Sequence, residues 1–336
     1  MFYQAIRPLL FAADAESSHN ATLWMLKVLH HVGFFHHPKP IVQNSIECFG
    51  LHFANPLGLA AGLDKNAECV PAWGAMGFGF IEVGTITPKP QLGNPKPRLF
   101  RLPEDQAIIN RMGFNNKGVD YLVAKLQQVH PACPLGVNIG KNKDTAINDA
   151  WQDYVHCYEK VYPYADYVTV NISSPNTPEL RKLQQGELLK SILTPLRELQ
   201  KGLSDKHHKK VPILVKIAPD LSMAELQALL DDLLSLKIEG IIATNTTIER
   251  SSNLQNSYAK ETGGLSGEPL FERSTNMIRS IYQQVGDGLP IVAVGGIMTP
   301  EQAKAKLAAG AKLIQIYSGL IFQGPGLIKN ILNTLS

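Results

Sequence analysis

The chain has 336 residues, of which 44% are hydrophobic and 18% charged, a composition typical of a globular protein with a large core. Its formal net charge of +3 is too small and too evenly spread for nucleic-acid binding, so we predict no nucleic-acid partner. The four cysteines are isolated, without a CxxC pair, which argues against a disulfide framework and against a zinc or iron–sulfur site. We therefore predict no metal.

The first 40 residues differ from the rest of the chain. Apolar residues with helical spacing predict a helix over residues 2–11, a break with capping residues over 14–18, and a second helix over 19–32. Five of the ten histidines lie in this part, and Lys27 is its only formal charge between Glu16 and Lys39. The helices are too short and too interrupted to span a membrane. Two alternatives remain open, helices that lie in a membrane interface and a helical cap packed on the core.

From residue 55 onward, short apolar strands alternate with helical stretches such as 222–236 and 300–309. Eight strands in this pattern predict an α/β protein of the (β/α)8 TIM-barrel class. Residues 98–110 lie in a connection too long for one helix, and their alternating pattern predicts a hairpin lid. The predicted strands are 57–61, 80–85, 135–139, 167–172, 213–217, 240–245, 291–294 and 313–317.

Each predicted strand ends in polar or small residues, and the stretch Asn171-Ile-Ser-Ser-Pro-Asn-Thr177 is the richest of these ends. One such loop alone would be explained by capping of the backbone. Eight strand ends with the same bias point instead to a ligand site, because ligands bind at the carboxyl ends of barrel strands.

Two features of these strand ends indicate an anionic ligand. Gly295-Gly296 and Ser318-Gly319 follow the last two strands, where barrels commonly bind phosphate, although a glycine pair alone is also compatible with a simple turn. Lys216 lies on an apolar strand and is predicted to point into the barrel mouth, where a buried lysine needs an anion. The alternative is a lysine whose ammonium reaches solvent.

Other chemistries lack their sequence patterns. No G-x-S-x-G motif surrounds Ser174, which argues against acyl transfer. No H-E-x-x-H motif or paired-carboxylate spacing supports metal-dependent hydrolysis or glycosidase chemistry. The serine, amides and lysines fit recognition of a planar, anionic, amide-rich substrate.

Several stretches resemble class 2, quinone-dependent dihydroorotate dehydrogenases, and the resemblance extends from residue 1 to residue 336. The stretches that carry it are Asn55-Pro-Leu-Gly-Leu-Ala-Ala-Gly-Leu-Asp-Lys65, Arg98-Leu-Phe-Arg-Leu102, Asn110-Arg-Met-Gly-Phe-Asn115, Asn171-Ile-Ser-Ser-Pro-Asn-Thr177, Lys216-Ile-Ala-Pro-Asp220, Ala243-Thr-Asn-Thr-Thr247, Thr262-Gly-Gly-Leu-Ser-Gly267 and Ile316-Tyr-Ser-Gly319. The family fold is an FMN-binding (β/α)8 barrel, in agreement with the strand count.

The resemblance implies oxidation of (S)-dihydroorotate to orotate in pyrimidine synthesis, with FMN as cofactor, a membrane quinone as acceptor and Ser174 as the catalytic base; class 1 members have a cysteine there. It implies that FMN is bound by residues at most of the strand ends: Ala61, Gly62, Leu63, Asp64, Lys65, Thr85, Asn138, Asn171, Lys216, Thr244, Gly267, Gly296, Tyr317 and Ser318. The implied substrate-binding residues are Lys65, Asn110, Arg111, Met112, Gly113, Phe114, Asn171, Asn176, Asn245 and Thr246.

The N-terminal helices resemble the membrane-associated quinone module of class 2, with His19 and Arg101 at its tunnel. This implies a two-helix module over residues 1–40, a catalytic barrel over 41–336, and a peripheral protein on the cytoplasmic face of the cell inner membrane. The sequence departs from the family pattern at Ala67, where glycine is usual, and in the residues around His19.

Two other functions remain to be tested. One is a soluble FMN barrel that acts on another pyrimidine with NAD(P)H or fumarate, against which Ser174 and the helical extension argue. The other is a flavin-free barrel that binds a phosphorylated metabolite as an aldolase, an isomerase or a binding protein, which flavin absorbance would distinguish.

Overall fold

The structure of the protein, a computed structural model, describes residues 2–34 and 44–335. The predicted boundary between residues 40 and 41 lies outside the described residues, as do His36 and His37. The predicted (β/α)8 barrel is confirmed. Eight parallel strands pair in chain order and close into a barrel, because the last strand pairs with the first. The barrel strands are β3 (Leu57–Leu59), β4 (Phe80–Ile86), β7 (Leu135–Ile139), β8 (Tyr167–Asn171), β9 (Ile213–Ile217), β10 (Gly240–Ala243), β12 (Ile291–Val294) and β13 (Leu313–Ile316), and the strands outside the barrel are β1 (Ile46–Cys48), β2 (Leu51–Phe53), β5 (Leu99–Leu102), β6 (Ala107–Asn110) and β11 (Gly264–Gly267).

The barrel strands are buried on both faces, and their side chains alternate between two cores. On β8, Val168 and Val170 belong to the large cluster between strands and helices, whereas Tyr167 belongs to the cluster inside the barrel. Thr169 and Asn171 share the inward face with Tyr167, because side chains two residues apart point the same way. The alternation therefore brings polar residues into the upper half of the barrel interior.

Helices surround the barrel, and none in the described ranges is both long and apolar enough to cross a membrane. The predicted helices 222–236 and 300–309 are confirmed, each with a capping box that satisfies its first backbone N–H groups. The helices are α1 (Phe2–Ala12), α2 (Ala15–His31), α3 (Val70–Ala75), α4 (Val119–Leu126), α5 (Ala150–Val161), α6 (Gly186–His207), α7 (Met223–Ser235), α8 (Phe271–Val285), α9 (Pro300–Ala308), α10 (Ser318–Gln323) and α11 (Gly326–Leu335).

A short hairpin, β1–β2, covers the N-terminal end of the barrel, and the sequence analysis did not predict it. Phe53 on β2 is fully buried and packs edge-on against Phe80, with ring centroids 5.4 Å apart. Phe80 in turn packs against Tyr167 at 6.4 Å. These aromatic rings fill the bottom of the barrel, where Gly58 on β3 leaves room for Phe80 and Gly136 on β7 leaves room for Tyr167.

At the opposite end, the predicted hairpin over residues 98–110 is confirmed as β5 and β6. It is not a two-stranded lid, however, because β11 adds a third antiparallel strand beside β6. The third strand is rich in glycine and lacks the alternation that would have identified it.

The two N-terminal helices are separated by a shorter break than predicted, since α1 ends at Ala12 and α2 begins at Ala15. The Asp14 side chain caps α2 by accepting a hydrogen bond of 2.8 Å from the Ser17 backbone N–H. Arg7 anchors α1 to the barrel side through a 2.9 Å hydrogen bond to the Phe322 carbonyl. Phe11 packs edge-on against Phe322.

We predict that Phe53→Ala lowers the free energy of unfolding by about 3–5 kcal/mol, because it leaves a cavity under the aromatic rings. His52→Ala is the matched control, since His52 lies on the same strand and is exposed; it should change stability by about 0.5 kcal/mol or less. Urea unfolding of the two variants tests this, and equal stabilities would contradict the role of the hairpin.

Candidate active site

A cavity opens at the carboxyl ends of the barrel strands, beneath the β5–β6–β11 sheet. It brings together most of the residues predicted from the sequence, from seven of the eight strand ends or the loops after them and from α2; no residue of the β7 end lines it. The predicted residues that line it are His19, Ala61, Gly62, Lys65, Thr85, Asn110, Met112, Gly113, Phe114, Asn171, Ser174, Asn176, Lys216, Thr244, Asn245, Thr246, Gly267, Gly296, Tyr317 and Ser318.

The floor of the cavity rests on a buried carboxylate, Glu82, which the sequence analysis missed. Glu82 points inward from β4 and is fully buried. It accepts hydrogen bonds from Asn138 Nδ2 at 2.8 Å, Gln315 Nε2 at 2.9 Å and the Tyr167 hydroxyl at 3.1 Å. Three donors on three different strands fix the position of this carboxylate, as a buried charge requires. The alternation of side chains along β4 explains why Glu82 points inward. It does not predict which residues donate hydrogen bonds to the carboxylate, because those residues lie on other strands.

A chain of hydrogen bonds leads from this carboxylate into the cavity. Asn138 accepts from the Thr85 hydroxyl at 2.6 Å and from Asn171 Nδ2 at 3.1 Å. Asn171 also donates to Thr85 Oγ1 at 3.0 Å. Asn138 does not itself line the cavity. Its place in the chain fixes the orientation of the Asn171 and Thr85 side chains, which do.

Among the described residues, Lys216 and Lys65 are the lysines that line the cavity, and no aspartate or glutamate lines it. Lys216 is 6% exposed, and burial lowers its pKa while the Glu82 carboxylate opposes that shift. Lys216 donates no hydrogen bond to any residue in the described ranges.

Burial, helped by the charge of Arg98, lowers the pKa of Lys65 to about 8. Lys65 donates one hydrogen bond of 2.8 Å to Asn115 Oδ1. The cavity therefore presents uncompensated positive charge to a ligand.

The loop after β8 places Ser174 and Asn176 at the rim. The Ser174 oxygen accepts a hydrogen bond of 3.2 Å from the Asn176 backbone N–H. Asn176 Nδ2 donates to the Asn110 carbonyl at 3.0 Å, which ties this loop to the end of β6. Asn245 joins from the next strand but one, through a 3.0 Å hydrogen bond to the Ser173 hydroxyl. A nucleophilic oxygen and three amide side chains thus surround one part of the cavity.

Two glycines that were predicted to bind FMN, one of them also in the predicted phosphate site, line the cavity. Gly267 and Gly296 have φ angles of +99° and +78°, which favour glycine. A Cβ on Gly296 would lie 2.5 Å from the Phe271 backbone nitrogen, so no side chain fits there. The Ser266 and Ser318 hydroxyls lie 2.9 Å apart beside them. Bare backbone and two hydroxyls suit a phosphate group.

A second cavity runs between the N-terminal helices and the barrel, and its lining is largely apolar: Tyr3, Ile6, Leu10, Phe11, Ala15, Ser18, His19, Thr22, Leu23, Met25, Leu26, Phe34, Leu63, Trp73, Met76, Leu99, Arg101, Ile108, Tyr317, Leu320, Ile321, Pro325 and Gly326. Four residues, His19, Leu99, Ile108 and Tyr317, line both cavities. Burial, together with the charge of Lys65, lowers the pKa of His19 to about 4, so its imidazole is neutral at neutral pH.

Arg101 lines the apolar cavity but is already engaged with the end of α1. It donates to the carbonyl of Leu10 at 2.7 Å, to that of Phe11 at 3.3 Å and to that of Ala13. Its guanidinium also lies 4.7 Å from the centre of the Phe11 ring. Arg101 therefore caps the last carbonyls of α1, where a cation is favourable.

Three other predicted site residues, Leu63, Asp64 and Arg111, do not line the polar cavity. The Asp64 carboxylate is fully buried and accepts from the backbone N–H of Glu68 and Cys69 and from Trp73 Nε1, so it organises its own loop. Leu63 lines the apolar cavity instead.

Arg111 is turned outward from the polar cavity. It forms an ion pair of 2.7 Å with Glu261 and stacks over the Phe100 ring. The sequence motif therefore identified a loop that lines the cavity, but the Arg111 side chain packs outside the cavity through these contacts.

Several lining residues were not predicted. They are Ala60, Leu99, Ile108, Ser266, Leu270, Val294, Ile297, Gln315 and Ile316. Most are apolar, and their signal was their position beside a predicted strand end.

Comparison with known proteins identifies relatives over almost the whole chain. Residues 44–336 match the family model described as dihydroorotate dehydrogenase. A protein of Pseudoalteromonas atlantica, named dihydroorotate dehydrogenase (quinone), is 52% identical over 334 residues, which are 99% of this chain and 100% of that protein. A protein of the same name from Yersinia enterocolitica is 53% identical, covering 98% of this chain and 99% of that protein.

Solved structures agree with this result. The Eimeria tenella DHODH in complex with ferulenol superposes with a TM-score of 0.88 at 40% identity, covering 95% of this chain and 90% of that chain. The ligand-free form of the Eimeria tenella protein also gives a TM-score of 0.88, at 41% identity, covering 96% of this chain and 94% of that chain.

Proposed function

The chain belongs to the dihydroorotate dehydrogenase family, and we propose that it oxidises dihydroorotate to orotate with FMN as cofactor and a membrane quinone as electron acceptor. The observation that carries the proposal is a polar cavity whose described lining includes two lysines and no carboxylate, next to an apolar cavity with which it shares four lining residues. A planar anionic substrate fits the first cavity and an apolar quinone fits the second.

The residues of the polar cavity fit a phosphorylated flavin. The Lys216 ammonium points into the cavity from the inward face of β9 and lacks a hydrogen-bond acceptor among the described residues. The glycines at 267 and 296 leave backbone exposed where a phosphate would sit. FMN would be held by Ala61, Gly62, Lys65, Thr85, Asn171, Lys216, Thr244, Gly267, Gly296, Tyr317 and Ser318, with Asn138 orienting two of them. When bound, the flavin accepts the electrons of the substrate and passes them to the quinone.

The substrate would lie among the amides, with its carboxylate near Lys65. Lys65, Asn110, Met112, Gly113, Phe114, Asn171, Asn176, Asn245 and Thr246 would surround it. With a pKa of about 8 in the ligand-free protein, Lys65 is largely protonated at neutral pH and can bind a carboxylate. Four asparagines supply both donors and acceptors, which match the amide groups of a pyrimidine ring.

Ser174 would remove the proton from substrate C5. A serine hydroxyl is a weak base, so its own proton must pass to a water molecule, and from there to solvent, as the substrate proton arrives. The Asn176 N–H that points at the Ser174 oxygen stabilises negative charge there during the transfer. Closure of the site by the β5–β6–β11 sheet limits access of bulk water.

We predict that Ser174→Ala slows flavin reduction by dihydroorotate by roughly 10²–10⁴-fold, the loss typical of a missing general base. Binding of orotate should change little, because the side chain contributes one hydroxyl to the cavity. Anaerobic stopped-flow absorbance measures the rate. Ser174→Cys is the control, since a cysteine can ionise to a thiolate that accepts the proton and class 1 members have a cysteine there; it should retain more activity than the alanine variant. An alanine variant with the wild-type rate would disprove the assignment.

Lys216 would stabilise the negative charge that develops on the flavin as it is reduced. We predict that Lys216→Met lowers flavin retention and lowers the midpoint potential by roughly 30 mV or more, which is tenfold in a two-electron equilibrium. Lys141→Met is the matched control, because Lys141 is also buried but lies outside the cavity lining. Flavin content and spectroelectrochemical titration are the readouts. A fully flavinated Lys216→Met protein with unchanged potential would rule out this role.

The N-terminal helices would bring the protein to the membrane, peripherally on the cytoplasmic face of the inner membrane. These helices and the residues just after α2 carry exposed apolar side chains that the barrel does not cover: Leu9, Trp24, Met25, Val28, Val32 and Phe34. Trp24 is 69% exposed, and Val28 lies one turn further along the same helix. Exposed apolar surface beside the mouth of an apolar cavity gives a lipid-borne quinone a direct route inward.

We predict that Trp24→Glu combined with Val28→Glu reduces binding to phosphatidylcholine–phosphatidylglycerol vesicles by tenfold or more, because each buried apolar side chain contributes about 1.5–3 kcal/mol. Turnover with a long-chain quinone should fall, while flavin reduction by dihydroorotate should not. Met223→Glu is the control, since Met223 is 59% exposed on a barrel helix. Wild-type vesicle binding by the double variant, measured by sedimentation, would contradict the membrane role.

A further inference from the structure

A buried ion pair joins the N-terminal helices to the barrel. Glu16 lies in the first turn of α2 and is 7% exposed, and Arg98 lies just before β5 and is also 7% exposed. The pair is bidentate, with Nη2 to Oε1 at 2.7 Å and Nε to Oε2 at 3.0 Å. Lys96, at 3.4 Å from the same carboxylate, is a weaker and exposed partner. A buried bidentate pair fixes the orientation of both side chains.

The remaining donor group of Arg98 shapes the loop that precedes it. Nη1 donates to the carbonyls of Leu92 at 2.6 Å and Asn94 at 2.8 Å. Gly93, between them, approaches so closely that an added Cβ would lie 2.9 Å from Nη1. The guanidinium therefore closes this loop around itself, and the Glu16 carboxylate holds the guanidinium in place.

The same loop reaches the proposed substrate residues. The Asn94 side chain donates to the Arg111 carbonyl at 3.0 Å and to the Asn176 carbonyl at 3.3 Å. Its backbone N–H donates to the Met112 carbonyl at 3.1 Å. Asn176 in turn donates to Asn110. Three consecutive contacts thus lead from the N-terminal helix to the loop of the catalytic serine.

The pair also acts on the charged groups nearest to the ligands. Arg98 contributes to lowering the pKa of Lys65, whereas Glu16 opposes the lowering for both Lys65 and His19. Loss of the carboxylate would leave Arg98 buried without its counter-charge, which favours movement of the loop.

We propose that Glu16 and Arg98 are positioning residues for the substrate, so that the N-terminal helices form part of the substrate site as well as the quinone site. Glu16 acts through Arg98 and Asn94 on Asn176 and does not touch the ligand. This inference rests on the proposed function, because it concerns binding of dihydroorotate and orotate.

The test uses the full-length, flavin-loaded protein with Glu16→Gln, which keeps the shape of the side chain and removes its charge. We expect the orotate dissociation constant, measured by perturbation of flavin absorbance, to rise roughly 5- to 20-fold, within the usual range of coupling between sites. The dihydroorotate concentration that half-saturates flavin reduction should rise in parallel. The rate at saturation should stay within about twofold, because Ser174 is not altered.

Lys96→Met is the matched control, since it removes the exposed partner of the same carboxylate and should leave orotate binding unchanged. Asn94→Ala breaks the last contact in the series. Once it is present, adding Glu16→Gln should weaken orotate binding no further, because the two changes interrupt one connection. If Glu16→Gln does not yield folded protein, Glu16→Asp replaces it, since the shorter carboxylate cannot span both guanidinium contacts.

Three outcomes would overturn the inference: an unchanged orotate dissociation constant in Glu16→Gln, additive effects of Glu16→Gln and Asn94→Ala, or a loss confined to quinone turnover. Failure of the wild-type protein to bind orotate would instead refute the proposed function. The two failures are therefore distinguishable.

Discussion

Burial of Lys216 at the mouth of the barrel is the constraint around which the site is built. Its ammonium is removed from bulk water, and it donates no hydrogen bond to the described residues. The Glu82 carboxylate lies below it in the barrel interior and opposes the fall in its pKa. That carboxylate must itself be satisfied, which places Asn138, Gln315 and Tyr167 around it. The amides of the cavity floor are thus fixed by the need to bury one charge of each sign. An anionic ligand would supply the hydrogen-bond acceptor that the Lys216 ammonium lacks among the described residues.

Much of this arrangement was predictable because it depends on short-range patterns. All eight barrel strands were predicted, since each is a short apolar run followed by polar or small residues. Parallel strands in a barrel bring their carboxyl ends together, so residues far apart in the chain, such as Lys65 and Lys216, were predicted to share one cavity, and they do. The family motifs identified the loops but not the direction of each side chain, as Asp64 and Arg111 show.

What the sequence did not reveal depends on contacts between distant residues. Glu16 and Arg98 are 82 positions apart, and no sequence pattern around either residue indicates that the two form a pair. The β1–β2 hairpin has three-residue strands, which are too short to show any periodicity. Its role in closing the bottom of the barrel follows from the contact between Phe53 and Phe80 in the fold. Glu82 lies on a buried strand whose other residues are mostly apolar. Its inward orientation became clear only from the alternation of side chains along the folded strand. Ala67 has a φ of +56°, a left-handed conformation that explains why glycine is usual there, but the sequence alone shows only the departure.

The two cavities meet at a wall of four residues. His19, Leu99, Ile108 and Tyr317 separate a polar cavity from an apolar one. His19 is neutral at neutral pH, because burial and the nearby Lys65 disfavour its charged form. A charged group in this wall would hold water and admit the polar substrate to the apolar side. Under the proposed function, a neutral wall would keep the substrate and the quinone apart while the flavin touches both. The same helix that supplies His19 also supplies Glu16, so one element shapes the wall and, through Arg98, the loop beside the substrate.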